Sequence, residues 1–553
     1  MVSPMPFRGD ASGHDFLFHL ASWMDVAGQW REGIFYPRWA EWANWGFGEP
    51  RFVFYPPASW ISGAALGSML PWRMVPATLI WLTLIAAGMA MWKLARTWLA
   101  GPQAAVAAVL YAVNPYHLVI VYYRSDFAEL MAAALFPLLV WAALRAVQNG
   151  WRGVPALAVV FAAIWLTNAP AGVIATYSLA LIIVAACILR GSIRSALACA
   201  AGMILGFGLA AFYILPAAWE QRWVQIGLIA SDELHPSQNF LFAHANDPDF
   251  VAFNWKVSAV AIGLMCITAV AVALSARRRR ELREVWWILV GLAAASALLM
   301  FPLTAVLWRS LPKLQFVQFP WRWLDVLDLA FAFFVATALF VRQRRGASWL
   351  VFAILVAGIG ASGVAMARNA WWDTHGAPVL TDAIRSMQGY EGTDEYMPNG
   401  CDRSELPGNP DPTTRADGAS ATPAAPVEQV DSDSGAIVPL ADARVDIESW
   451  SAERKAFAAR VSAPVTLAPR LLGYPAWRVR VDGKAAHVDS QPMTAQVLLP
   501  LPPGTHRVEI DFRRTWDRRA GGVVSAIAFL ALLAWEGVLW RRKTGSVMSA
   551  GDA

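Results

Sequence analysis

The sequence predicts a polytopic α-helical membrane protein that carries a small β-sandwich outside the membrane, before its last span. Of the 553 residues, 57% are hydrophobic and only 15% are charged, whereas a soluble chain carries roughly 25% charged residues. The 29 Trp residues fit the aromatic belts of membrane interfaces. Between residues 440 and 516 apolar and polar residues alternate, as is typical of strands. Together these observations predict both parts of the fold.

The stretch from Ser12 to Gly33 precedes any apolar span and predicts a helix lying in the membrane interface. Ser12 can cap this helix, Asp15 completes a pair like a capping box, and Gly33 can end it. One face is apolar and carries Phe16, Leu20, Trp23, Ala27 and Trp30. The other face is polar and carries Asp15, His19, Ser22 and Gln29. An acid and a histidine would thus face water one turn apart; the alternative is a surface helix that only rests on lipid.

About eleven runs of roughly 17–22 apolar residues are long enough to cross a membrane. They fall near 75–92, 103–120, 128–146, 153–169, 171–190, 196–216, 255–275, 285–306, 323–341, 348–366 and 520–541. The segment 58–71 is too short and too rich in Gly to count among them, and we interpret it as re-entrant or interfacial.

Basic residues set the orientation, because Lys and Arg collect on the cytoplasmic side. Lys93 and Arg96 follow the first run, and Arg277–Arg280 follow the seventh. This places the C-terminus in the cytoplasm and residues 1–57 outside. Since Met1–Asp10 lacks an apolar export signal, we expect a first transmembrane helix upstream of Met1.

Charged residues stand at the outer ends of the predicted spans. Asp126 and Glu129 fall on one helical face, and Arg124 precedes them. Charges next to membrane helices are costly and favour a functional role, although a structural salt bridge with Arg124 is the alternative. Farther along, Pro320 can begin a helix. Arg322, between two Trp residues, suits either a phosphate at the interface or a snorkelling anchor.

The sequence predicts five regions. These are an external loop (1–57), a transmembrane helical domain (58–366), an external segment with a flexible linker (367–439), a β-sandwich (440–516), and a last span with a cytoplasmic tail (517–553). Within the sandwich, Asp482-Gly483 between two alternating runs predicts a type I′ hairpin. Carbohydrate binding, partner binding and a passive structural role all remain open for this domain.

The four cysteines are Cys187, Cys199, Cys266 and Cys401, and they have no metal-type spacing. Loop 217–254 carries His235, His244 and several acids, but their irregular spacing favours a solvated loop over a metal site. No cofactor is predicted, and a divalent metal is left open. The net charge of +5 arises from basic residues at span ends, so it does not indicate nucleic acid.

Several motifs together resemble a bacterial family of membrane proteins described as 6-pyruvoyl-tetrahydropterin synthase-related. The motifs are Gly13-His14-Asp15 with His19, Tyr36-Pro37-Arg38-Trp39, Gly46-Phe47-Gly48, Phe54-Tyr55-Pro56-Pro57, Pro115-Tyr116-His117, Tyr123-Arg124 with Asp126-Phe127-Ala128-Glu129, Phe319-Pro320-Trp321-Arg322 and Glu395-Tyr396-Met397-Pro398. That family in turn resembles the GT-C superfamily of glycosyltransferases, which use polyprenyl-phosphate sugars. Its members carry an acidic residue in the first external loop, and Asp15 matches that position.

The resemblance implies a membrane glycosyltransferase that uses a polyprenyl-phosphate-linked sugar and a lipid, glycan or protein acceptor. Asp15 would be the general base. The implied substrate-binding residues are His19, Arg38, Trp39, Arg124, Asp126, Glu129, Arg322, Glu395 and Tyr396. Among them His19 would orient Asp15 or the acceptor, Trp39 could stack on the sugar, and Arg124 or Arg322 would hold the leaving phosphate. The alternatives are a transporter or flippase for lipid-linked glycans, and an assembly protein acting through the β-domain.

Overall fold

The structure is a computed structural model that describes residues 2–231, 234–244, 247–340, 345–406, 426–431, 434 and 436–551. The helices of the first 150 residues are α1 (Met5–Arg8), α2 (Phe16–Arg31), α3 (Arg51–Phe54), α4 (Pro57–Gly67), α5 (Val75–Arg96), α6 (Gly101–Ala112), α7 (Pro115–Val119), α8 (Phe127–Ala133) and α9 (Phe136–Asn149). The later helices are α10 (Val154–Thr167), α11 (Ala169–Arg190), α12 (Ile193–Leu209), α13 (Ala211–Glu220), α14 (Pro248–Ser275), α15 (Arg283–Leu299), α16 (Ala305–Ser310), α17 (Leu324–Leu339), α18 (Arg345–Asn369), α19 (Gly376–Arg385) and α20 (Trp516–Gly551).

The chain is a polytopic helical membrane protein, and every predicted span coincides with one helix or with two consecutive helices. Within the described residues, seven helices are long and apolar enough to cross a membrane, or nine if each of two bent pairs counts as one span. The bends are 71° between α12 and α13 and 91° after α15. The count of eleven spans stays a prediction. The doubtful segment 58–71 contains a real but short helix, α4.

Helix α2 differs from its prediction in its start and in its surroundings. It begins at Phe16 with Asp15 as N-cap residue, so Ser12 does not cap it. Beyond Asp15, its polar face does not meet water, because the side chains of His19, Ser22 and Gln29 are as buried as those of its apolar face. The helix therefore lies inside the protein and joins two groups of buried polar side chains.

The C-terminal domain is a β-sandwich whose strands begin before the predicted boundary of residue 440. Two strands lie outside the sandwich, β1 (Asp10–Ala11) and β2 (Trp372–Asp373). The strands of the sandwich are β3 (Val427–Val430), β4 (Ile437–Val438), β5 (Ala443–Ser451), β6 (Arg454–Val461), β7 (Val465–Pro469), β8 (Trp477–Val481), β9 (Lys484–Ala485), β10 (Asp489–Ser490), β11 (Val497–Leu501) and β12 (Gly504–Phe512). The two sheets have the orders β10-β11-β7-β3-β4 and β5-β6-β12-β8-β9. Asp482 and Gly483 take positive φ between β8 and β9, which confirms the predicted hairpin. Residues 407–425 of the predicted linker lie outside the described residues.

The remaining pair, β1 and β2, ties the N-terminal segment to the chain after α18. Asp10 faces Asp373 across this antiparallel pair. Burial, and then the charge of Asp373, raise the pKa of Asp10 to about 7. The pairing holds the start of the chain beside the C-terminal end of α18, despite the long sequence separation.

Candidate active site

Three carboxylates and two arginines from three segments of the chain form one largely buried cluster, which we call the charge cluster: Asp15, Arg124, Asp126, Glu129 and Arg322. Arg322 donates from Nε to Glu129 at 2.8 Å and from Nη2 to Asp126 at 3.1 Å. Arg124 donates from Nη2 to Asp15 and to Asp126, each at 3.1 Å, and from Nη1 to Glu129. The structural salt bridge weighed from the sequence is thus present, and it extends to Arg322.

Local structure explains how these side chains meet. Asp126 is the N-cap residue of α8, and its side chain accepts a hydrogen bond from the Glu129 backbone N–H at 2.9 Å. Pro320 begins a short 3₁₀ turn that leads into α17 and carries Arg322, as predicted. Arg124 ends a π-helical turn, Ile120–Arg124, a rare geometry that is frequent at functional sites.

Asp15 is the outermost carboxylate of the charge cluster. Its side chain is 26% exposed, whereas those of Asp126 and Glu129 are 4% and 1% exposed. Burial alone would raise the pKa of Asp15, but the hydrogen bond with His14 and the charge of Arg124 together hold it below its ordinary value. Asp15 is therefore an ionised carboxylate at neutral pH with access to the surface.

The backbone at Gly13 is packed directly against the π-helical turn. The Gly13 N–H bonds the Ser125 hydroxyl at 2.9 Å, and the Asp15 N–H bonds the Arg124 carbonyl at 2.8 Å. A Cβ atom at Gly13 would lie 2.5 Å from the carbonyl carbon of Arg124. Only glycine permits this approach, which fixes the position of Asp15 beside Arg124.

His19 does not contact Asp15, so the structure does not support its predicted role as an orienter of Asp15, while its role toward the acceptor stays a prediction. It is buried, with Nε2 3.6 Å from Asp126 and Nδ1 3.3 Å from the Ser59 hydroxyl. Although His19 lies one turn beyond Asp15 on the same face of α2, its ring packs against Phe127 and Tyr55 and lies beside Asp126 instead. His19 therefore supports the inner carboxylate.

A second polar group lies farther along the same face of α2 and joins it to the segments around residues 49–51 and 390–393. Arg51 donates from Nε to Glu49 at 2.6 Å and from Nη1 to the Ser22 hydroxyl at 2.9 Å. Glu49 also accepts from the backbone N–H of Thr393 at 2.9 Å. Asp25 accepts from the Tyr390 hydroxyl at 2.8 Å. Burial raises the pKa of Asp25 to about 6, against the hydrogen bonds that lower it.

Glu395 and Tyr396 belong to this second group. Tyr396 is buried and stacks on Phe54, with ring centroids 5.7 Å apart. Burial raises the pKa of Glu395 to about 7; its own backbone hydrogen bond and Arg51 lower it, and Glu49 raises it further. Glu395 lies on the side of Arg51 and Glu49, not in the charge cluster.

Arg38 and Trp39 lie against the β-sandwich, away from Asp15. The Trp39 side chain is buried among Tyr474, Trp477 and Phe512, with ring centroids 5.2–5.9 Å away. It therefore cannot stack on a sugar as predicted, and instead packs the segment between α2 and α3 against the sandwich. Arg38 lies over the Tyr36 ring at 4.2 Å. A Trp residue in a loop can stack on a sugar or pack against another domain, and the sequence alone does not distinguish these two roles.

Within the ranges that the structure describes, no group of three or more His, Cys, Asp or Glu side chains is arranged to hold a metal ion. Two acids of loop 217–254, Asp232 and Glu233, lie outside those ranges. In the charge cluster each carboxylate is paired with arginine, which supplies the positive charge locally.

The model of one protein family matches residues 52–370, and its description is the 6-pyruvoyl-tetrahydropterin synthase related domain, a membrane protein. The chain belongs to this family. The match includes Arg124, Asp126, Glu129 and Arg322, while Asp15 precedes it. A comparison with curated proteins finds no match.

Three solved structures show remote similarity. The alignment with ArnT from Cupriavidus metallidurans bound to undecaprenyl phosphate covers 64% of this chain and 61% of the ArnT chain, with 12% sequence identity and a TM-score of 0.39. The alignment with the Archaeoglobus fulgidus oligosaccharyltransferase covers 72% of this chain and 58% of that enzyme, with 14% sequence identity and a TM-score of 0.42. The alignment with the arabinofuranosyltransferase AftD from Mycobacteria covers 66% of this chain and 28% of AftD, with 17% sequence identity and a TM-score of 0.36. The chain thus spans less than two thirds of each of these proteins.

Two residues beside Asp15 in this family member were not among the predicted site residues. His14 Nδ1 lies 2.9 Å from the Asp15 carboxylate, and the hydrogen bond raises the pKa of this exposed histidine. Tyr55 is half-buried, and its ring lies 4.8 Å from that of Phe18, one turn from Asp15. Both occur in the motifs that carry the family resemblance, so the motifs themselves could have identified them.

Proposed function

We propose that the chain is an integral membrane glycosyltransferase of the GT-C type. It takes a sugar from a polyprenyl-phosphate donor and attaches it, on the extracytoplasmic side, to a lipid, glycan or protein acceptor of the cell surface. The observation that carries the proposal is the position of Asp15, the partly exposed carboxylate of an otherwise buried charge cluster. Partly accessible carboxylates whose pKa is shifted by neighbouring charges are often found at catalytic sites.

In the proposed reaction, the acceptor hydroxyl oxygen attacks the anomeric carbon of the donor sugar. The new C–O bond forms as the bond to the phosphate oxygen breaks, and Asp15 accepts the hydroxyl proton. The polyprenyl phosphate leaves with the bonding electrons. One accessible carboxylate fits an inverting displacement, since retention by the usual route needs a second carboxylate as nucleophile. The other two carboxylates of the charge cluster, Asp126 and Glu129, are buried and paired with both arginines.

Arg124 and Arg322 are better suited to positioning than to binding phosphate. Arg322 uses Nε and both terminal nitrogens on protein acceptors, including the Val317 carbonyl at 3.0 Å. Arg124 likewise spends both terminal nitrogens on carboxylates. Charge-assisted pairs of this kind hold geometry strongly. We propose that Arg124 fixes Asp15, while Asp126, Glu129 and His19 fix Arg124 and Arg322.

Glu395 and Tyr55 are the proposed contacts for the acceptor or the sugar. Glu395 is half-buried, and its pKa of about 7 lets it donate or accept a proton near neutral pH. Tyr55 offers a hydroxyl beside the charge cluster. Neither side chain is committed to an ion pair within the described part of the chain.

The proposed topology puts the charge cluster and the β-sandwich outside and the C-terminus in the cytoplasm. It rests on the basic run Arg277–Arg280, between α14 and α15. The native Cys401 is a poor probe of this topology, because burial raises the pKa of its thiol to about 12.

A transporter or flippase for lipid-linked glycans is the second candidate, and one observation favours it. Asp325 and Asp328 of α17 are fully buried, and their carboxylate oxygens have no hydrogen-bond partner in the described part of the chain. Buried acids inside membrane helices often mark transport pathways. A transporter would move the lipid-linked sugar without cleaving it.

Turnover of lipid-linked sugar tests the proposal. Membranes with and without the protein receive a radiolabelled polyprenyl-phosphate sugar, and free polyprenyl phosphate and labelled acceptor are measured. We expect both products to appear only with the protein. Movement of intact donor between leaflets, with no cleavage, would reject the glycosyltransferase and support the transporter.

A further inference from the structure

A groove of about 530 Å³ lies between α18, α7 and the N-terminal segment. Its volume is in the range of small-molecule sites. Its walls are mostly apolar and include Leu118, Ile359 and Val364. From Val356 to Arg368 it follows α18 for roughly 18 Å, at 1.5 Å per residue. The groove is therefore long enough for an extended chain rather than a compact solute.

The outer end of the groove is basic. Arg8 and Arg368 both line it, and both are exposed. Neither forms an ion pair with an acidic side chain in the described residues; Arg8 has a long hydrogen bond to the Ala367 carbonyl, at 3.5 Å, and its guanidinium lies 5.9 Å from the centre of the Trp372 ring. Two uncompensated arginines at the end of α18, where the chain enters the external segment, offer their guanidinium groups to an anion.

The groove shares a wall with the charge cluster. Tyr122 lines the groove and lies in the π-helical turn Ile120–Arg124, whose last residue, Arg124, bonds Asp15. One turn of backbone therefore separates the groove from the proposed catalytic carboxylate. A molecule whose anionic head sits at Arg8 and Arg368 would present its head group on the side of the membrane where Asp15 is exposed.

We propose that this groove binds the polyprenyl phosphate part of the donor, with the prenyl chain along α18 and the phosphate between Arg8 and Arg368. This inference rests on the proposed function and assigns the phosphate to a different pair of arginines from Arg124 and Arg322. The two arginines complement the charge of a phosphate, and the long apolar walls of the groove suit a prenyl chain. Together they favour an amphiphile with one phosphate and one long chain.

Glycines of α18 provide matched variants that test the groove. A Cβ at Gly360, which lines the groove, or at Gly358, which does not, would meet no atom within 4 Å. Both substitutions are therefore compatible with the fold. Gly360→Phe should fill the groove, while Gly358→Phe should add a ring on the same exposed helix outside it.

The experiment measures labelling of the full chain, in phosphatidylcholine nanodiscs, by a photoreactive polyprenyl phosphate. We expect Gly360→Phe, and Arg8→Gln combined with Arg368→Gln, to weaken labelling about tenfold or more. Gly358→Phe and Arg309→Gln, an exposed arginine elsewhere, should stay near wild type. Unlabelled polyprenyl phosphate should compete, while polyprenol, phosphatidylglycerol and inorganic phosphate should not.

Equal labelling of Gly360→Phe and wild type would overturn the inference, as would equal competition by phosphatidylglycerol, which would indicate a general anionic lipid surface. Because labelling does not require sugar transfer, the two proposals fail separately. Sugar turnover with labelling unaffected by Gly360→Phe rejects only the groove. Groove-dependent labelling without any sugar cleavage rejects only the transferase.

Discussion

Removing Arg322 should unbalance the charge cluster, and the structure gives the size of the effect. Arg322 is 6% exposed and pairs with Glu129 at 2.8 Å and with Asp126 at 3.1 Å. In Arg322→Met three carboxylates would face Arg124 alone. Loss of one partner from a buried ion pair costs about 3–5 kcal/mol, because the remaining charge stays buried and uncompensated. We expect the free energy of unfolding to fall by about that amount.

Equilibrium unfolding in mixed detergent micelles, followed by Trp fluorescence, measures this loss. Arg278→Met is the matched control: Arg278 pairs with Glu281 at 3.0 Å on the surface, where the pair contributes at most about 1 kcal/mol. The double variant Arg322→Met with Glu129→Met should recover much of the loss, since one buried charge of each sign is then removed. A loss in Arg322→Met no larger than in Arg278→Met would refute the reasoning.

Three further outcomes follow from the geometry. Asp10→Asn should shrink the difference in stability between pH 5 and pH 8. Because the pKa of Asp10 is about 7 in the folded chain and about 4 when unfolded, wild type loses stability as the pH rises from about 4 to 7. Thermal melting at both pH values measures this difference, and an unchanged difference in Asp10→Asn would contradict the prediction. Gly13→Ala should lower turnover by about 10²-fold, because the added Cβ would displace Asp15, the proposed catalytic carboxylate. Gly28→Ala, whose Cβ would meet open space, should not lower turnover, and equal kinetics in the two variants would contradict this prediction. In a chain without native cysteines, Lys484→Cys should react with an impermeant thiol reagent in intact cells and Arg279→Cys only after lysis; the opposite pattern would invert the topology.

The sequence predicts the membrane part well because each span must satisfy its own backbone hydrogen bonds, so a long apolar run has few alternatives to a helix. The hairpin at Asp482-Gly483 was predictable for a similar local reason. Long-range pairing was not predictable in this way. Asp126 and Glu129, the partners of Arg322, lie far from it in the chain, and the residues next to Arg322 carry no information about them. The same limit applies to Trp39, whose packing depends on a distant sandwich.

Helix α2 shows how a correct element can have the wrong surroundings. Its polar face was predicted to meet water because polar side chains usually do. In the structure this face is buried and pairs with acids and hydroxyls from other segments, as at His19 and Ser59. Amphipathic spacing shows that two faces differ, but it does not show whether the polar one meets solvent or other buried polar groups.

The central claim is that Asp15 is the general base, and Asp15→Asn tests it most directly. The amide keeps the size of the side chain and an oxygen that can accept from Arg124, but it cannot accept the proton. Turnover at saturating donor is measured with protein whose melting temperature matches wild type. We predict a fall of roughly 10²–10⁴-fold, the usual contribution of a general base. Turnover close to wild type would contradict the account and remove Asp15 from the mechanism.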